Sequence, residues 1–308
     1  MKRLLFIGGT AFFGKLALKK LIDSGKYNIT VVTRGNVFPE EFQGCVRFII
    51  CNRSEKEALA LALKEEQFDI IVDNIARTAL DVTNILDIFR GKIEHYLLCS
   101  SGGVYPEYCP HEWVENEAVL VPIPGRRPYD NNKREAESVL MTYRDVSYTI
   151  YRPTVVEGPD DSMKRTLYFV RKINQQEQFN IPEGVIFKHV YSDDLASAIV
   201  ELIALHPMNR AYNICGDDKV TLDEYCHMIA GILGKKPCHQ VVSTEKFSNS
   251  DHADFPSSYD RTLILSNELL KKTIHYHPTA IQAWLPVTVR SDFENMLDRV
   301  APSPISRL

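Results

Sequence analysis

Tyr129 and Lys133 stand one helical turn apart in Tyr129-Asp130-Asn131-Asn132-Lys133, placing a phenol and an ammonium on one helix face. A positive charge at that distance favours the phenolate, so a group with a reference pKa of about 10 can exchange a proton closer to neutrality. Such pairs arise often by chance, so the company they keep decides. Ser100-Ser101-Gly102-Gly103-Val104-Tyr105 precedes the pair and follows an apolar, strand-like run. A hydroxyl at the carboxyl end of a strand reaches into the crevice above a sheet, where it can hydrogen-bond a substrate oxygen as charge develops. Alone, two serines more often cap a turn; together with the phenol and ammonium they read as a reaction centre.

A third element lies at the N-terminus. Leu4 to Ile7 runs into Gly8-Gly9-Thr10-Ala11-Phe12-Phe13-Gly14, which opens a helical pattern. In a dinucleotide-binding turn the first glycine permits a sharp bend, a small middle residue lets the backbone approach a pyrophosphate, and the last lets helix pack on strand. Gly8, Ala11 and Gly14 fill those places, and the phosphates would rest at the positive end of the helix. At the end of the second strand, where an acid would select NAD, stand Thr33 and Arg34. A hydroxyl and a guanidinium suit a 2′-phosphate, so NADP is the expected dinucleotide, with NAD the alternative. Asp73-Asn74-Ile75-Ala76 ends the fourth strand and is expected beside the nucleotide.

The elements that must hold these groups are legible as β-branched apolar runs alternating with helical patterns, the signature of βαβ units and a parallel sheet. Strands are predicted at 4–7, 29–33, 46–51, 70–73, 95–99 and 148–151, and helices at 13–24, 55–64, 80–89, 129–143 and 192–205. Ala211–Cys215 is a plausible returning strand. Segment 102–128, with Pro106, Pro110, Pro122 and Pro124, reads as a long functional loop. The expected fold class is α/β: a doubly wound parallel sheet from residues 1–155 plus about 190–215, with a smaller interleaved C-terminal substrate lobe from about 156–189 and 216–308. The last eight residues read as a frayed tail.

With 36 basic and 40 acidic residues, the chain has a net charge of -4 and no global basic field, so no nucleic-acid partner is expected. No apolar run reaches the roughly 18 to 20 residues that a membrane helix needs, so no membrane partner is expected either. The 7 cysteines are scattered, which suits reduced thiols and a cytoplasmic location. Cys226-His227 and Cys238-His239 repeat a dipeptide, but four side chains from different elements would have to converge, so packing is expected and no metal.

Taken in this order, the motifs resemble an extended short-chain dehydrogenase/reductase, the NAD-dependent epimerase/dehydratase branch of that superfamily, with its Rossmann-like fold. The likeness runs from the glycine turn through Ser-Ser-Gly-Gly-Val-Tyr and Tyr-x-x-x-Lys to Tyr151-Arg152-Pro153-Thr154-Val155-Val156-Glu157-Gly158-Pro159 and His189-Val190-Tyr191-Ser192-Asp193-Asp194-Leu195-Ala196. It implies Ser101, Tyr129 and Lys133 as the catalytic set. It also implies a dinucleotide held by Gly8, Thr10, Ala11, Phe12, Phe13, Gly14, Thr33, Arg34, Asn52, Arg53, Asn74, Ile75, Ala76, Ser100, Tyr129, Lys133, Pro153 and Val155. The chain departs from relatives acting on nucleotide sugars at Val155, where they carry asparagine, and near Phe187, where they carry arginine; Lys188 or His189 are the available substitutes. Asn52 replaces the aspartate of Gly-Asp-Arg. The leading expectation is a reductase or dehydrogenase acting on the carbonyl or hydroxyl of a small polar metabolite, with a homodimer ordinary for such relatives. The second is a nucleotide-sugar epimerase or dehydratase with tightly held NAD. The third is a non-catalytic binder, because the Gly-Gly-Thr-x-Phe-x-Gly turn and the Thr-Arg-Gly segment also resemble chloroplast stem-loop RNA-binding relatives.

Overall fold

Strands β1 (Lys2–Ile7), β2 (Tyr27–Thr33), β3 (Arg47–Ile50), β4 (Ile70–Asp73) and β5 (His95–Cys99) are followed by a short β6 (Glu112–Trp113) and then β7 (Tyr148–Pro153). Four short strands come next, β8 (Val155–Glu157), β9 (Phe179–Pro182), β10 (Ile186–Phe187) and β11 (His189–Tyr191). β12 (Arg210–Ile214), β13 (Val220–Thr221), β14 (His239–Val242) and β15 (Ile264–Leu265) complete the set. This computed structural model describes residues 1–36, 38–205, 209–248 and 254–298, with side chains to 296. The frayed tail expected at 301–308 lies outside the described residues.

Seven strands form one sheet in the order β12-β7-β5-β4-β1-β2-β3, every pairing parallel. Chain order reverses between β1 and β4, which leaves a crevice at their carboxyl ends. Alternation along β1 explains the two layers. Leu4 and Phe6 face one core with Ala17, Leu18 and Leu21 of α1 (Phe12–Ser24) and Leu195, Ile199 and Leu202 of α6 (Ser192–Ala204). Leu5 and Ile7 face the other, with α2 (Lys56–Leu63), α3 (Ala79–Phe89) and α4 (Pro128–Leu140). Both faces are covered, so the strands read as unbroken apolar runs.

α4 stops at Leu140, short of the predicted Tyr143. Met141 caps it, the Thr142 hydroxyl donates to Val139 O at 2.7 Å, and Tyr143 N turns back onto Leu140 O, directing the chain into β7. A second core gathers α5 (Arg165–Asn174), α7 (Leu222–Leu233), α8 (Thr244–Ser248) and α10 (Ile281–Asp298) around Phe169, Tyr225, Phe247, Trp284 and Val289. One late element does not stay there. Leu270 of α9 (Glu268–Thr273), with Ile274 and Tyr276, packs into the sheet's own core beside α1 and α6. Among the described residues no helix is long and apolar enough to cross a membrane.

Candidate active site

The chain leaves β1 through Gly8 at φ +90°, and a Cβ there would fall 2.4 Å from Cγ2 of Ile75. A Cβ on Gly14 would fall 2.3 Å from Gly8 O and 2.6 Å from Asn74 Nδ2, so helix and turn approach as closely as backbone allows. Asn74 braces the bend, donating to Gly8 O at 3.2 Å while its Oδ1 accepts from the Tyr151 hydroxyl at 2.7 Å. Ala11 caps α1 without a side-chain bond and is exposed, and Thr10 is half-buried, so the first amides of the helix are left open. Phe12 takes φ +47°, a left-handed conformation rare for a bulky residue, and its buried ring meets Phe13 edge-on at 5.6 Å. Bare backbone, a close approach that only glycine permits and an uncapped helix end fit a pyrophosphate.

At the end of β2, Thr33 Oγ1 accepts from Gly35 N at 3.2 Å. Arg34 is exposed, and no described residue pairs with its guanidinium. Asn52 is engaged locally, accepting from Ser54 N at 3.2 Å and donating to Glu55 at 2.9 Å. Arg53 is buried. It forms a bidentate pair with Asp73, which also accepts from the Tyr96 hydroxyl at 2.8 Å, and donates to Asp81 O at 2.9 Å. Its cation thus joins β4 to α3 beneath the crevice.

α4 begins with Pro128 at its first turn, which fixes φ and forgoes a donor the helix would not use. Tyr129 is 46% exposed at the helix mouth. Lys133 is buried, donating from Nζ to Ala76 O at 2.6 Å and Cys99 O at 2.7 Å, and the same nitrogen lies 5.6 Å from the centre of the Tyr129 ring. The carboxyl ends of β4 and β5 therefore hold the ammonium under the phenol. Ser101 is half-buried and accepts from Gly103 N at 3.1 Å, which leaves its own proton free to donate. Ser100 points the other way: its buried hydroxyl donates to Glu137.

Sequence reasoning missed what anchors this helix. Glu137 accepts from Arg152 Nε at 2.9 Å and Nη2 at 2.6 Å, a pair wholly out of solvent that ties α4 to β7. Arg134 is equally buried and donates to Tyr105 O at 2.7 Å. A Cβ on Gly103 would fall 2.2 Å from Asp130 Oδ1, so the serine turn packs directly on the residue beside Tyr129. The one available signal is spacing, since Tyr129, Lys133 and Glu137 share a face.

Towards the second lobe, Val155 and Phe187 are buried in its apolar core. Lys188 pairs with Glu112 at 2.5 Å. His189 is sealed in, and burial alone pulls its pKa down to about 3. Beside it, burial pushes Glu157 up to about 8, and the Tyr225 hydroxyl donates to it at 2.6 Å. Tyr105 and Trp113 stack at 5.7 Å within the interior, so these aromatics are packing.

The family model described as NAD dependent epimerase/dehydratase matches residues 4–215. The chloroplast stem-loop binding protein of 41 kDa b from Arabidopsis thaliana is 28% identical over a 298-residue alignment covering 90% of this chain and 75% of that protein. Among solved structures, dTDP-glucose 4,6-dehydratase from Bacillus anthracis, in complex with NAD, superposes with a TM-score of 0.78 at 18% identity, covering 96% of this chain and 98% of that one. UDP-glucose 4-epimerase from Thermus thermophilus, also with NAD, gives 0.77 at 20% identity over 94% and 99%. At those identities the likeness is one of fold.

Proposed function

The chain belongs to the NAD dependent epimerase/dehydratase family of extended short-chain dehydrogenase/reductases, a family of NAD-dependent enzymes acting on small molecules, and from that premise we propose a reductase or dehydrogenase with NADP as its preferred dinucleotide. Its substrate is the carbonyl or hydroxyl of a small polar metabolite. The turn from Gly8 through Thr10, Ala11, Phe12 and Phe13 to Gly14, with Thr33, Arg34, Asn74, Ile75, Ala76, Lys133, Pro153 and Val155, would hold the dinucleotide. When bound it supplies the hydride, and the protein supplies orientation and electrostatics. Tyr129 exchanges the proton at the substrate oxygen, Ser101 donates a hydrogen bond to that oxygen, and Lys133 sits beside the phenol. Residues 1–155 with about 190–215 form the dinucleotide half, and most of the remainder shapes the substrate pocket. The reading includes a cytoplasmic homodimer.

The observation that carries it is Lys133: an ammonium buried where the chain leaves β4 and β5, 5.6 Å from the ring of a phenol that is 46% exposed. NADP rather than NAD is favoured by Arg34, exposed and unpaired among the described residues. A substrate without a diphosphate is favoured by the burial of Val155 and Phe187 and by the engagement of Lys188 with Glu112.

Mass spectrometry of gently purified protein tests this. Exchangeable NADPH is the expected companion, whereas NAD that survives extensive washing would point to an epimerase or dehydratase. Tyr129→Phe should lower turnover at least about 100-fold, the low end of general acid–base contributions, while dinucleotide binding stays intact. A second reading, nucleic-acid binding, is favoured only by the Arabidopsis relative. It predicts no dinucleotide and an RNA affinity that falls steeply with salt.

A further inference from the structure

The fold brings the two Cys-His dipeptides together, but only their histidines converge. Asp223 and His227 are one turn apart on α7, with side chains 48% and 55% exposed. His239 opens β14, and its imidazole is 3% exposed. His239 Nε2 lies 2.8 Å from Asp223 Oδ1, His227 Nδ1 lies 3.6 Å from the same oxygen, and the two rings stand edge to face at 5.2 Å. One ligand atom from each residue lies within 4.8 Å of the other two. The cysteines turn away. Cys226 is buried in the second core, and Cys238 Sγ faces Lys172 O and Glu177 O. The inner nitrogen of His239, Nδ1, is buried without a hydrogen-bond partner among the described residues. The ring therefore carries its proton on Nε2 and donates outward to Asp223.

We propose that Asp223, His227 and His239 bind a divalent transition-metal ion of the zinc class, with water completing its coordination. Two imidazoles and one carboxylate suit zinc, cobalt or nickel, whereas calcium and magnesium require oxygen donors throughout. Tetrahedral ligands held about 2.0 to 2.2 Å from zinc are roughly 3.3 Å apart, which the observed 2.8 and 3.6 Å bracket. On binding, His239 Nε2 gives up its hydrogen bond to Asp223 Oδ1 and His227 Nδ1 its 2.9 Å hydrogen bond to Asp223 O, each imidazole stays neutral with its proton on the other ring nitrogen, and the Asp223 carboxylate oxygen changes from acceptor to ligand. Neither α7 nor β14 contributes a residue to the candidate active site. The ion would clip the start of a helix to the strand that follows it across Gly234-Lys235-Lys236-Pro237, stabilising the second lobe.

The test uses the full-length, tag-free chain stripped with EDTA and titrated calorimetrically with zinc chloride, with cobalt(II) absorption as a second probe. One equivalent should bind and raise the Tm by mass action. His227→Ala, an exposed position whose loss leaves the core unchanged, and Asp223→Asn should each weaken binding by more than the ~10-fold that even an outer-shell partner commands. Cys238→Ser should leave it unaltered. No stoichiometric binding, undiminished affinity in His227→Ala, or a cobalt thiolate band that vanishes in Cys238→Ser would each overturn the proposal.

Discussion

In the function proposed above, Arg34 is the residue that would set the choice between NADP and NAD. Exposed at the end of β2 and unpaired among the described residues, it can give a 2′-phosphate a charged hydrogen bond worth about 1.5 to 3 kcal/mol. Arg34→Ala should weaken NADP roughly 10- to 100-fold and leave NAD nearly unchanged, read by fluorescence titration with each dinucleotide. Equal losses for both would make it a general surface cation. At this scale the sequence was legible where a motif fixes an offset and opaque where burial decides. The resemblance implied Ser101 as the catalytic hydroxyl, and in the structure its neighbour Ser100 turns inward to Glu137. The resemblance also implied Asn52 and Arg53 among the residues holding the dinucleotide; in the structure Asn52 is engaged with Ser54 and Glu55 and Arg53 with Asp73 and Asp81. A spacing pattern cannot say which polar partners the fold will bring to a side chain.

Among the elements, α4 is the one whose composition misleads. Pro-Tyr-Asp-Asn-Asn-Lys-Arg-Glu-Ala-Glu reads as a solvated helix, but Asp130, Lys133, Arg134 and Glu137 are all buried. Apolar periodicity reports helices that bury hydrocarbon, and this one buries hydrogen bonds. The Glu137–Arg152 pair follows the logic of buried ions, where removing one partner strands the other. Arg152→Met should cost about 3 to 5 kcal/mol in urea unfolding, and adding Glu137→Leu should recover much of that loss. If the double variant is as unstable as the single one, the pair is not what secures α4 to β7. The strands and the α1 helix, by contrast, were predicted to within a few residues, because continuous apolar runs on a sheet covered on both faces leave a strong signal.

For the whole molecule, pH dependence follows from groups sealed between the lobes' elements. Burial raises Glu157 from its ordinary 4.5 to about 8, so between those values the folded chain keeps a proton that the unfolded chain has released. Its stabilisation is complete below 4.5 and is lost as pH rises through about 8. Asp292, raised from 3.8 to about 7 by burial and then by Asp161 and Asp160, acts in the same sense. His189, lowered from 6.5 to about 3 by burial, opposes them, its contribution present above 6.5 and lost on acidification. Between pH 7 and 8 Glu157 supplies the larger part of the decline, about 1 kcal/mol, because it is itself half released by pH 8, and Asp292, half released by pH 7, adds the smaller part. Urea unfolding across that interval should show the decline in the wild type and less than half of it in Glu157→Gln, the remainder being that of Asp292; a slope undiminished in the variant would assign it elsewhere. The second lobe left little trace in the sequence, in contrast to α6 and β12 of the sheet half, because its short strands pair across long separations, as β14 does with β9 and β15 with β6. The return of Leu270, Ile274 and Tyr276 to the sheet's core has an evolutionary meaning. A recombination event that exchanged everything after β12 would carry away part of the floor beneath α1 and α6, so a transplanted lobe would have to bring matching apolar residues for that floor.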